Sequence, residues 1–360
     1  MRGGSPNLKM SHYLLTGAGF SRNWGGWLAN EAFEYLLGAP GIDDYLRNIL
    51  WGAKLGGEGF EGALSMVQNA YASNKSDETK QRLDRLTQAV IRMFDAMQTA
   101  FNMLDHRGPG SELRLQRFLS RFDAIFTLNQ DALLETLYAG VKWSDRWCGS
   151  YLPYMKLIEE PPQPTFKLRA PMTPDSEFIT RENYQPIYKL HGSYNWFAEP
   201  QGERLLVIGG NKTATIGTFR VLTRYQDEFQ AMLSQPDTHL MVIGYSFGDS
   251  HINSVIQTAA TDGLKIFIID TLGVDVIDKR DTRAQIPQPR TELMQALMPR
   301  IIGASRRPLN EIINSDRVEN EKVMRFFEGQ AHILRGKPIY SEDCTAADSS
   351  SAIAVPDGLG

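Results

Sequence analysis

Cysteine is nearly missing from this chain: among 360 residues there are only Cys148 and Cys344, far apart in sequence. A zinc site built from four cysteines of one chain is excluded, a disulfide framework has no support, and such sparing use fits a reducing compartment. Long apolar runs are missing too. No stretch reaches the roughly 18 consecutive apolar residues of a membrane-spanning helix, and the first nine residues carry no apolar core of signal-peptide length. A soluble, cytoplasmic protein is expected, with Met10 as a natural start just ahead of the first apolar run. Nor is there an excess of one charge. The 38 basic and 42 acidic residues give a net charge of -4, so no global field draws the chain to nucleic acid or to an anionic membrane. The phosphate loop of nucleoside triphosphatases is absent as well, because Gly209-Gly210-Asn211-Lys212-Thr213 has asparagine where the last glycine belongs.

What is present reads as one large domain with insertions, over residues 10–335, followed by a Ser/Ala/Asp/Gly-rich tail at 336–360 expected to be disordered. The organising stretch is His12 to Arg22. Tyr13, Leu14 and Leu15 form a short apolar run of strand type, and Gly17-Ala18-Gly19 ends it in a turn from which a helix should start. Unpaired amides at such a helix start would cradle a pyrophosphate, although the third glycine of the dinucleotide fingerprint is lacking. A helix is predicted over 25–37, and helical spacing dominates from 42 to 122. Leu83, Leu86, Val90, Met93, Phe94, Met97, Phe101 and Leu104 recur there at steps of three and four. That stripe is core or subunit interface, and it makes residues 40–120 a helical insertion.

Strand character returns at 123–129, at 187–190, at 239–243 and at 265–270, with helices predicted near 133–137 and over 249–261. Short strands are also expected at 205–208 and 216–222, before a helix opened by a Thr223-x-x-Gln226 capping box. Seven of the 18 prolines fall between Pro153 and Pro186, so residues 150–186 should be an extended, poorly helical insertion. Strands alternating with helices give the fold class as α/β, with a Rossmann-like parallel sheet.

Four segments then stand at the carboxyl ends of predicted strands, where open α/β sheets bind ligands: Gly17 to Arg22, Thr127 to Asp131, His191 to Ser193 and Gly244 to Asn253. Each has a plainer reading. Asn129 and Asp131 can cap a helix, His191 can be a turn histidine, and Asp249 with His251 can open a helix without further duty.

In order, Gly-Ala-Gly-Phe-Ser, Thr-Leu-Asn-Gln-Asp, Lys-Leu-His-Gly-Ser and Gly-Tyr-Ser-Phe-Gly-Asp-Ser-His-Ile-Asn resemble the motifs of the sirtuin superfamily, especially its bacterial sirtuin-like branch. The resemblance covers roughly residues 14–270. It implies a Rossmann-like domain that takes NAD+ as substrate, with Gly17, Ala18, Gly19, Ser21 and the adjoining Arg22 around the phosphates. Thr127, Asn129, Asp131 and His191 would stand at the nicotinamide-ribose end, Gly244, Ser246 and Phe247 would line the pocket, and Asp270 would lie near the adenosine ribose. Sirtuin deacylases carry a four-cysteine zinc ribbon after the His-Gly motif, whereas residues 193–243 contain no cysteine. No metal is therefore expected, and an acyl-lysine groove is disfavoured. Zinc-less relatives of this shape are NAD-consuming effectors of bacterial anti-phage defence.

The expected chemistry is hydrolysis of the nicotinamide-ribose bond to nicotinamide and ADP-ribose. Asn129 would hold the water or the ribose hydroxyls, His191, titrating near neutrality, would act as base, and Asp131 would place negative charge near the developing cation. A non-catalytic NAD or ADP-ribose sensor is the main rival, and a protein deacylase a weaker one. An unrestrained NAD hydrolase would drain its own cell, so self-association into a homo-oligomer is expected. So is control by another chain, such as a HerA-type ATPase. The apolar stripe of residues 79–104 is the candidate surface unless it packs on its own domain.

Overall fold

The computed structural model describes residues 10–103, 111–138, 146–158, 169–171, 181–198, 204–209, 212–278 and 290–328. The tail at 336–360, Cys344, and much of the proline-rich stretch lie outside them. Cys148 is buried.

The first apolar run is strand β1, Ser11–Thr16, and a one-turn helix α1, Ala18–Arg22, follows its glycine turn. The helical insertion contains α2 (Ala29–Leu37), α3 (Asp44–Leu55), α4 (Gly59–Ser73), α5 (Asp77–Met103) and α6 (Ser111–Leu119). Asp43 starts α3 by accepting the Leu46 amide at 2.9 Å, which satisfies one of the donors that a helix N-terminus leaves open. The stripe along α5 is core. Leu86, Val90, Met93, Phe94, Met97 and Phe101 are all buried within this chain, so the expectation that α5 offers an assembly surface is corrected.

Strand β2 (Ala124–Thr127) and helix α7 (Leu133–Tyr138) come next, then β3 (Gly149–Tyr151), β4 (Met155–Leu157), β5 (Arg169–Pro171), β6 (Tyr184–Lys189), β7 (Gly192–Phe197) and β8 (Arg204–Leu206). Helices α8 (Lys212–Thr218) and α9 (Arg220–Leu233) lead to β9 (Thr238–Ile243), α10 (Ser250–Thr261) and β10 (Lys265–Ile269). The last elements are α11 (Glu292–Leu297), β11 (Ile301–Ser305), α12 (Leu309–Asn314) and α13 (Arg317–Met324).

Seven strands in the order β11-β10-β9-β1-β2-β6-β3 form a wholly parallel sheet. The chain builds outward from β1 through β2 to β6, then crosses to β9 and builds the other way. The order reverses between β1 and β9, which pair from Ser11↔Thr238 to Thr16↔Ile243. Beyond the carboxyl ends of these two strands lies the crevice in which such sheets take ligands.

A second sheet, β4-β5-β7-β8, was not foreseen. Its β4 and β5 fall inside the segment expected to be merely extended, in pieces short enough to pair between prolines. The strand predicted over 216–222 is helix instead. Ile216 and Val221 are buried on α8 and α9, and Thr223 turns its hydroxyl back to the Ile216 carbonyl at 3.2 Å rather than capping a helix. One buried ion pair fastens this region: the Lys189 ammonium at the end of β6 lies 2.9 Å from Glu135 on α7 and also donates to the Asp131 carbonyl.

Candidate active site

The two central turns are built against each other. The Gly17 amide donates to the Ile243 carbonyl at 3.0 Å and the Gly19 amide to the Gly244 carbonyl at 3.0 Å, while the Phe20 amide returns to Gly17 at 2.8 Å. A Cβ on Gly19 would come within 2.7 Å of the Gly244 Cα, and one on Gly244, whose φ is +61°, within 2.4 Å of Gly19. These glycines let two strand ends meet. Their amides are not free to cradle a pyrophosphate, and α1 spans only five residues, so the expected anion cradle at a helix start is corrected.

Behind the first turn, Ser21 joins the second motif to the first. Its hydroxyl donates to Asp131 Oδ2 at 2.8 Å and accepts from Asn129 Nδ2 at 2.9 Å. Because the single hydroxyl proton is committed to the carboxylate, the contact to Asn129 must be made by its NH2. That fixes which way the amide faces, with its carbonyl oxygen and second proton left for a ligand. Asp131 Oδ1 accepts the Leu133 amide at 3.0 Å, so both carboxylate oxygens are engaged in holding the turn. Burial nevertheless pushes the Asp131 carboxyl above the usual carboxylate range, against the pull of Lys189.

His191 follows β6 and is buried. Its Nε2 lies 3.0 Å from the Nε2 of His251, on the first turn of α10. Burial lowers the His191 pKa to about 3, with nearby Asp249 only partly opposing it. The ring is therefore neutral at physiological pH, not titrating near neutrality as expected. Asp249 stands at the start of α10, but its side chain makes no cap bond. Instead it accepts Lys212 Nζ at 2.7 Å, and Lys212 also reaches Glu61 on α4 at 2.8 Å. Burial raises the Asp249 carboxyl, but the pull of His191 when protonated and of the Lys212 ammonium outweighs it and holds the group below its ordinary value.

These groups open on a cavity of about 850 Å³ at the β1/β9 crevice. Its wall includes Gly17, Ala18, Gly19, Asn129, Asp131 and His191. Arg22, Gly244, Ser246 and Asp270 also line it, whereas Ser21, Thr127 and Phe247 do not. Arg22 is paired to Glu31 at 2.7 Å. Thr127 supports the site from behind, its Oγ1 accepting the Asn129 amide at 3.1 Å. Phe247 sits at φ +53° in a turn tied by Asn253, which donates to the Phe247 carbonyl at 2.9 Å. Sequence reasoning missed the roles of Glu61, Lys212, His251 and Arg307. Lys212 was visible only as part of a failed phosphate loop, and Glu61 carried no signal at all. Phe60, Met93 and Met97 from the helical insertion close the cavity on one side.

With this geometry in view, the comparison with known families is specific. Residues 123–271 match the SIR2-like domain. The matched segment runs from the foot of β2 past β10 and so contains Asn129, His191 and the turn from Gly244 to Asn253. Over that segment the chain is similar to the SIR2-like family. No curated protein matches the sequence. A solved structure described as "Structural Basis for the Mechanism and Regulation of Sir2 Enzymes" aligns at a TM-score of 0.37 and 12% identity, covering 88% of this chain and 95% of that one. Among the described residues, no helix is long and apolar enough to cross a membrane.

Proposed function

We propose that this chain is an NAD+ glycohydrolase, binding NAD+ in the β1/β9 crevice and cleaving the bond between nicotinamide and ribose to release nicotinamide and ADP-ribose. One observation carries the reading: Asn129 and His191, each from a strand end of the SIR2-like segment, face one cavity with one side fixed by Ser21 and the other neutral. The cavity falls within the roughly 300–1,000 Å³ of ordinary ligand sites. Nicotinamide leaves as a neutral base, so the protein has to position the ribose, tolerate positive charge at its C1 atom and deliver water.

In this reading Asn129 holds the water or a ribose hydroxyl through its amide. His191, unprotonated at physiological pH, accepts a proton from one of them. A bound sugar cation would strengthen neither role by itself, so the nearby Asp249 carboxylate matters: it favours the imidazolium once the proton arrives. Asp131 becomes a positioning residue acting through Ser21, not the negative charge that the sequence suggested. With Gly17 and Gly19 bound to β9, the diphosphate is left to Ala18, Arg22 and the Arg307 guanidinium at the cavity wall. Asp270, at the end of β10, suits the adenosine ribose.

The role in anti-phage defence, a homo-oligomeric state and control by a separate ATPase extend this reading and depend on it. With the apolar stripe of α5 buried in its own domain, that stripe is not the assembly surface. The test is to incubate the purified chain with NAD+ and identify the products. Nicotinamide and ADP-ribose in equal amounts are expected. Intact NAD+ that becomes NADH only when a hydride-donating alcohol or hydroxy acid is added would indicate a dehydrogenase, and tight binding without consumption would leave the sensor reading.

A further inference from the structure

At the edge of the cavity, His191 and Asp249, which the proposed cleavage uses, meet a third group that it does not use, His251. His191, Asp249 and His251 each offer a ligand atom, and these atoms lie within 4.8 Å of one another. The two imidazoles face each other almost head on, with Nε2 atoms 3.0 Å apart and ring centroids at 5.2 Å. We propose that this trio is a binding site for a divalent metal ion of the zinc class, and that the bound ion silences the pocket by taking the lone pair of His191.

The donor set has the right chemistry. Two imidazoles and one carboxylate, with a remaining position toward a cavity, form the three-ligand arrangement in which zinc and its neighbours are held. Zinc–nitrogen bonds of about 2.0–2.1 Å at a tetrahedral angle set two imidazole nitrogens roughly 3.3 Å apart. The rings must therefore spread by a few tenths of an ångström and pivot from head-on to convergent. With the two Nε2 atoms 3.0 Å apart, one of them carries no proton and already offers its lone pair. In the metal-free pair one Nε2–H donates to the other Nε2. When the ion enters, that donor ring carries its proton on Nδ1 instead, and both Nε2 lone pairs turn to the metal.

Charge supports the site and also sets its competitor. Asp249 and Glu61 contribute two negative charges against the single ammonium of Lys212, which touches both. Lys212 already neutralises one oxygen of Asp249, so metal and ammonium draw on the same carboxylate. Lys212 thus acts as a built-in counterweight that weakens the site.

The silencing rests on the NAD+ reading; the binding does not. Cobalt(II) is the probe for binding, since its visible absorption reports nitrogen and oxygen ligation without any substrate. Titration of the purified full chain should show one cobalt per chain, displaced by zinc. His251→Ala and Asp249→Asn should each weaken it by more than the about 10- to 100-fold typical of losing an outer-shell partner. His12→Ala, at a buried histidine far from the cavity, should leave it unchanged. Lys212→Met should tighten it by about tenfold, which adventitious binding to a surface histidine would not do. Failure of the wild-type chain to bind either ion at micromolar concentration, or a His251→Ala variant that binds as well as wild type, overturns the site. Stoichiometric zinc that leaves nicotinamide release unchanged overturns the silencing. A chain that binds zinc but never consumes NAD+ contradicts the proposed function and leaves the metal site standing.

Discussion

A pair of histidines stands at each end of the central sheet, His12, His239 and His191 buried and His251 half-buried, and the two pairs behave differently. At the foot, His12 of β1 and His239 of β9 sit opposite each other in the strand register, their rings stacked at 5.1 Å. Phe326 and Phe327 seal them, and His12 Nε2 donates to the Phe326 carbonyl at 3.1 Å. At the head, His191 and His251 meet just as closely, but His191 lines an open cavity, and a carboxylate and an ammonium stand beside the pair. Burial holds all four rings below the ordinary imidazole value. Neither burial nor pKa therefore separates structure from function here. What separates them is the end of the parallel sheet at which the pair lies, because strand carboxyl ends diverge into turns and leave room for a ligand.

That contrast is open to attack by mutation. The largest expected effect is at the head: Asn129→Ala should cut nicotinamide release by orders of magnitude while leaving the melting temperature within a few degrees of wild type, as kinetics and calorimetry on one preparation would show. Next is the contact between the two glycine turns at the head. Gly244→Ala places a Cβ 2.4 Å from the Gly19 backbone at φ +61°, and the loss should exceed about 3 kcal/mol, with activity per folded molecule falling as well because the displaced turn lines the cavity. Urea titration beside activity per folded molecule checks this. Lys189→Met strands Glu135 without its partner and should cost about 3–5 kcal/mol, again by urea titration.

A subtler expectation concerns pH at the foot. The His12 pKa falls from 6.5 to about 4 on folding, through burial first and then repulsion from His239, with Asp123 pulling the other way and Arg146 adding to the lowering. The unfolded chain thus binds the proton more readily. Stability from this group is complete above pH 6.5 and is lost as pH falls toward 4, by about 3 kcal/mol in all. His12→Phe should flatten that part of the pH–stability curve, measured by urea titration at half-unit steps. An unchanged slope would mean that His12 is not held neutral.

The two regions also differ in how far they could be read from sequence. The parallel sheet was legible because β1, β2, β9 and β10 are short, doubly buried apolar runs with little else they could be. The order of four turn motifs brought Asn129 and His191 to one place before any coordinates. The second sheet escaped, since β4 and β5 are three residues each, too short to show an alternation of buried and exposed positions. The run 216–222 misled because its β-branched residues suit a strand locally, while burial of Ile216 and Val221 favours helices in the fold. The glycine turn was read for the wrong partner. Its backbone approaches Gly244, a contact between segments over 200 residues apart, and spacing within either motif could not reveal it. The same distance hid the meeting of Glu61, Lys212 and Asp249.

The most direct test of the account is nicotinamide release at saturating NAD+, followed by proton NMR in wild type, His191→Gln and His12→Gln, each normalised to its folded fraction. The account predicts that His12→Gln retains wild-type turnover per folded molecule, whereas His191→Gln loses it by at least the about 100-fold that a general base contributes. Near-normal turnover in a folded His191→Gln variant, or equal losses from both, would contradict the claim that the open end of the sheet performs the chemistry.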